Sequence, residues 1–103
     1  MGIWTRKHPN IPDSFYQKLK EPKSLEDAHI LMCCHKQSVA DFNLQIEINE
    51  LDMAMLCDDG EPLPYHEDKM QELQGKKQKL FMGKRFHQNA SNCYWYWMQR
   101  AEK

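Results

Sequence analysis

The sequence predicts an all-α fold: a long antiparallel, coiled-coil-like helical hairpin with a short N-terminal helical arm, completed by homodimerisation. Three observations carry that expectation. A seam runs at alternating steps of four and three through Ala28, Met32, His35, Val39, Phe42, Ile46, Asn49, Met53 and Leu56. This is the spacing of the inward stripe of a coiled-coil helix. A second repeat follows a turn signal: Leu73, Leu80, His87, Tyr94 and Ala101, with Lys76, Gly83, Ala90 and Trp97 between them. Beyond both seams, the chain carries more apolar surface than two helices and an arm can bury: the arm could cover one stripe, and otherwise a second copy or another protein must.

The elements follow in order within one domain, residues 1–103. Residues 1–23 are the arm, punctuated by Pro9, Pro12 and Pro22. Pro12 opens a short helix through Lys20, with Phe15, Tyr16 and Leu19 on one apolar side. Pro22 ends it, because a proline ring blocks the helical backbone bond. Ile3, Trp4 and Ile11 are candidate anchors to the main body.

Helix 1 is expected over residues 24–57. Ser24 can cap its free amides, and Glu26 and Asp27 suit the positive end of the helix dipole. Asp58-Asp59-Gly60, followed by Pro62 and Pro64, stops the helix and places a turn over 58–63. Helix 2 is expected over residues 64–102. Gly75 and Gly83 weaken it, each costing about 1 kcal/mol relative to Ala. The competing reading is a break at Gly83 or at Asn89–Asn92, followed by a strand, since Cys93 to Met98 is rich in strand-forming residues.

A short connection between two long helices implies an antiparallel pair. Setting Leu56 beside His66 then places Asn49 beside Leu73, Phe42 beside Leu80, His35 beside His87 and Ala28 beside Tyr94. Every seam position of helix 1 in this register meets a seam position of helix 2.

Composition narrows the class. Apolar residues are 41% and charged ones 28% of the 103, which excludes a disordered chain. No apolar run reaches the length of a membrane span. The formal net charge is −1, against the basic excess usual in nucleic-acid binders. Met1 to Lys7 is polar and lacks the apolar core of a signal peptide. Position 6 is Arg6, where a myristoylation signal needs Ser or Thr. The four cysteines, Cys33, Cys34, Cys57 and Cys93, are therefore expected as reduced thiols in a cytoplasmic protein. Asn89-Ala90-Ser91 matches a glycosylation sequon, which has no meaning without export.

Few residues point to chemistry. The register brings His35 to His87 with Cys34 adjacent, a set able to bind Zn²⁺ or Cu²⁺. A seam histidine is more often simply hydrogen-bonded, so no metal or other cofactor is expected. Glu26-x-x-His29 is the step used in di-iron bundles, but a second step is missing from the chain. Cys33 and Cys34 near His29 and His35 suggest a thiol nucleophile, against the commoner inert cysteine. No nucleophile elbow or phosphate-binding glycine loop is present. An enzyme is not expected.

Lys76, Lys77, Lys79, Lys84 and Arg85, with Phe81 and Phe86, form a basic and aromatic stretch that could hold single-stranded nucleic acid. Glu47, Glu50 and Asp52 should pass beside it and offset its charge. The surplus apolar residues are more telling. Leu44, Ile48, Leu51 and Met55 lie on a second face of helix 1, and Trp95, Tyr96 and Met98 on helix 2. Seven methionines add adaptable contact surface. The expected function is therefore protein–protein binding, of the regulator, adaptor or inhibitor type. A homo-oligomer and an unidentified protein partner are expected, without membrane insertion. The alternatives are nucleic-acid association through residues 76–85 and, more remotely, a His/Cys metal-binding bundle.

Overall fold

The computed structural model describes residue 4 and residues 6–58, 61–62 and 64–101. Its elements are α1 (Asp13–Tyr16), α2 (Leu25–Met55), β1 (Cys57–Asp58), β2 (Glu61–Pro62), a 3₁₀ turn (Pro64–His66) and α3 (Glu67–Ala101). The fold is therefore helical, dominated by α2 and α3. β1 and β2 are a two-residue antiparallel bridge that pairs Cys57 with Pro62 and Asp58 with Glu61. Ile3, Asp59, Gly60 and the end of helix 2 at residue 102 lie outside the described residues.

Local chemistry explains the limits. The Asp27 amide donates to Ser24 Oγ at 3.0 Å, and the Lys23 amide donates to the Asp27 carboxylate at 2.9 Å. One free amide of the first turn of α2 and the amide just before its cap are thus satisfied. At the other end, Leu56 N–H bonds the Met53 carbonyl at 3.1 Å, a tighter turn that closes the helix. The helix expected from Pro12 to Lys20 is shorter in the structure. After Tyr16, the amides of Lys18 and Leu19 reach only three residues back, to Phe15 and Tyr16. Those turns tuck Tyr16 and Leu19 inward. α3 runs unbroken through Gly75, Gly83 and residues 93–98, so the strand alternative does not occur.

The chain divides into two compact units, one of residues 1–37 and 87–103 and one of residues 38–86. In the first, the arm contributes Trp4 and Tyr16 to a core with Ala28 and Met32 of α2 and Cys93, Tyr94 and Trp97 of α3. The Trp4 ring lies 4.9 Å from Tyr16 and 5.1 Å from Tyr94. Tyr94 donates its hydroxyl to the Lys20 carbonyl at 2.7 Å, and the His8 amide donates to the Tyr16 hydroxyl at 2.7 Å. Arg6 stacks over Trp97 at 4.4 Å. Burial pushes the Tyr94 hydroxyl up to about 12 and raises the Tyr16 hydroxyl and Cys93 thiol as well.

In the second unit, Ile46 and Asn49 of α2 are buried with Met70, Leu73 and Leu80 of α3. The Asn49 amide donates to the Leu73 carbonyl at 3.1 Å. Its Oδ1 is buried with no hydrogen-bond partner among the described residues. Phe42 fills the notch at Gly83: a Cβ there would lie 2.5 Å from the ring's Cζ. Lys76, expected at a seam position, is exposed instead. Its ammonium keeps its hydration, since burying an unpaired charge would be costly.

Candidate protein-binding surface

The inward seam of α2 turns one face of the helix toward α3. At about 100° per residue, Leu44, Ile48, Leu51 and Met55 fall roughly 150° away from that seam. The consequence is direct: these four side chains are 57%, 50%, 65% and 80% exposed. Their steps of four, three and four make a second apolar stripe three turns long. All four belong to the unit of residues 38–86. A shallow hollow of about 290 Å³ lined by Glu47, Glu50 and Leu51 borders it on one side. A groove of about 370 Å³ borders the other, with Asp52 and Met55 facing Lys69, Glu72 and Lys76.

The second group of candidates is placed differently. Trp95 remains 53% exposed. Tyr96 meets the His8 ring at 5.0 Å and lies under the Arg100 guanidinium at 5.0 Å. Met98 packs against the aromatic core of the first unit. The arm therefore meets Tyr96 through His8 and leaves Trp95 exposed.

Trp95 edges a half-open cleft of about 440 Å³ that sequence reasoning did not find. Its polar lining comes from His8, Asn10, Asn89 and Asn92. Asn89 and Asn92 share a face of α3 by their three-residue step, the one signal in the sequence. The partners from the arm are set only by its path. Ser91, the sequon residue, is buried in the helix.

The basic stretch is partly neutralised. Lys77 pairs with Glu50 at 3.3 Å. Lys77 and Lys84 each hold an ammonium 5.9 Å from the Phe81 ring. Lys79 and Arg85 are exposed.

The structure brings His35 and His87 together, Nδ1 to Nδ1 at 2.8 Å, with Tyr94 stacked on His35 at 5.7 Å. Burial first, and the neighbouring His87 second, lower the His35 pKa. Cys34 is exposed beside them. Among the described residues no three His, Cys, Asp or Glu side chains gather in a metal-binding group. His29 Nε2 instead contacts the exposed Cys33 Sγ at 3.6 Å, one helical turn on.

No described helix is long and apolar enough to cross a membrane. No protein-family model, curated protein or solved structure matches the chain.

Proposed function

We propose that this chain works by binding another protein, as a regulator, adaptor or inhibitor, and not by catalysis. One observation carries the reading: four large aliphatic side chains at helical spacing, each at least half exposed, on the open face of α2. Together they present on the order of 500 Å² of surface, the upper part of the range for the largest patch on a soluble monomer. Scattered exposed leucines need no explanation, but a straight stripe three turns long is a recognition surface. The four free thiols suit a reducing, cytoplasmic setting.

The test is the double change Ile48→Glu with Leu51→Lys. Both side chains point outward, so the fold should hold to within about 0.5 kcal/mol. Sedimentation at tens of micromolar and differential capture from the native host should both be run. A species bound by the wild type and lost by the variant supports the reading. Identical self-association and identical captured sets would remove it.

A second reading rests on α3. From Leu73 to Ala101 this helix has no Asp or Glu, and Phe81 lies between two lysine ammoniums. Aromatic rings beside cations suit single-stranded nucleic acid. Binding of an oligonucleotide that weakens in Lys79→Glu with Lys84→Glu would favour it. Glu50, already paired to Lys77, weighs against it.

A further inference from the structure

We infer that the α2 stripe docks a cationic amphipathic helix of a partner protein. The inference rests on the binding reading above and goes on to name the partner's chemistry. The spacing comes first. Leu44, Ile48, Leu51 and Met55 alternate steps of four and three, which matches knobs from one facing helix. A helix has no free backbone edge, so an added strand finds nothing to pair with there.

The border sets the charge. Along α2 the border is acidic: from Gln37 to Asp58 the sequence has Asp41, Glu47, Glu50, Asp52 and Asp58 and no Lys or Arg. Across the groove beside Asp52, α3 adds Lys69, paired with Glu72 at 3.6 Å, and Lys76. Glu50 is turned toward Lys77 of α3. Glu47 and Asp52 are exposed on opposite sides of the stripe, with no ion pair among the described residues. With Ile48 and Met55 at a positions and Leu44 and Leu51 at d, Glu47 takes the g position and Asp52 the e position. Those are the positions that choose a partner's charge.

A second copy of the same stripe is the poorer occupant. Parallel pairing would set Glu47 against Asp52 twice, and antiparallel pairing brings no positive charge from the facing α2 to either. Phosphate-rich ligands, whether lipid headgroup or nucleic acid, meet the same carboxylates. A helix with Lys or Arg beside its own apolar stripe satisfies both the shape and the charge.

Two synthetic helical peptides test this on the full chain. Both carry Ile and Leu at the a and d positions; one has Lys and the other Glu at e and g. Fluorescence anisotropy is read at low and at moderate salt, and sedimentation of the protein alone is run beside it. The Lys peptide should bind about tenfold more tightly than the Glu peptide, the equivalent of a few exposed ion pairs. That advantage should shrink with salt. Glu47→Lys with Asp52→Lys should reverse the preference, and Ile48→Ser with Leu51→Ser should weaken both peptides about tenfold. Circular dichroism checks that each variant stays helical. Equal binding of the two peptides overturns the charge inference and leaves the stripe as a binding surface. A stripe-dependent dimer that neither peptide displaces makes the occupant a second copy and overturns the inference. Loss of binding by both peptides with a monomeric wild type overturns the stripe reading too.

Discussion

The two compact units use the same pair of helices and treat their surplus apolar surface in opposite ways. In the unit of residues 1–37 and 87–103, the arm lays Trp4 and Tyr16 over Ala28, Met32, Tyr94 and Trp97, and the result is a buried aromatic core. In the unit of residues 38–86 no such segment among the described residues lies over the outer face of α2, and Leu44, Ile48, Leu51 and Met55 stay open. The difference shows what a covered face looks like in this chain. Covering takes aromatic anchors, a buried proline at Pro22, and hydrogen bonds that fix the covering segment, such as Tyr94 to Lys20. The open stripe has the aliphatic residues without the cover.

The largest effect should come from removing the cover where it exists. Trp4 is buried and in ring contact with Tyr16 and Tyr94. Trp4→Ala should cost about 3–5 kcal/mol, the usual cost of truncating a buried aromatic. Denaturant unfolding followed by circular dichroism measures it. A loss below about 1 kcal/mol would mean that the arm does not hold the first unit together, and the contrast between the units would fall with it.

Much of this architecture was legible in the sequence, because helix periodicity and end signals are local. Ser24 does cap α2, and both polar seam residues find the neighbours that the register assigned them: His35 meets His87, and Asn49 meets the Leu73 backbone. The outer stripe was legible for the same reason, as a second four-three pattern out of phase with the first. What was not legible depends on contacts distant in sequence. The cleft under Trp95 joins the arm to α3, and its residues show no common motif. The contact of His8 with Tyr96 required knowing the arm's path. Gly83 reads as a helix weakness until Phe42 is seen to occupy the space its side chain would take.

The two glycines of α3 sharpen the picture of the second unit, because they have equal propensity and unequal surroundings. A methyl at Gly83 would sit 2.5 Å and 2.7 Å from the Phe42 ring, which is stiff and must move. Overpacking of that kind costs about 1–3 kcal/mol, offset by the roughly 1 kcal/mol gained in helix propensity. Gly83→Ala should therefore destabilise by about 1 kcal/mol. Gly75 has no other atoms within 4 Å of the corresponding position, so Gly75→Ala should stabilise by up to about 1 kcal/mol. Thermal melts of the two variants test the sign. If both variants stabilise, Phe42 does not pack into Gly83, and the helix contact in the unit of residues 38–86 is looser than described.

The smallest effect belongs to the polar layer of the first unit. A hydrogen bond between the Nδ1 atoms of His35 and His87 needs one of them unprotonated, because an imidazolium can only donate. The pKa of His35 is lowered, by burial first and by the charge of His87 second. The stacked Tyr94 stays neutral near pH 7, with its hydroxyl pushed up to about 12. The unfolded chain thus binds a proton more readily at His35 than the folded one does. The sign follows by linkage: this contribution to stability is fully present above the unfolded value of about 6.5. It is lost as pH falls through that value toward the folded one. Wild type should therefore lose melting temperature between pH 7.5 and pH 5.5. His35→Leu should lose less, because the variant lacks the buried imidazole whose pKa the fold lowers. Groups outside this layer act on both proteins and cancel in the comparison. Equal acid sensitivity in the two would mean that His35 is as readily protonated in the fold as in the open chain, and that the 2.8 Å contact contributes nothing to holding the first unit's helices in register.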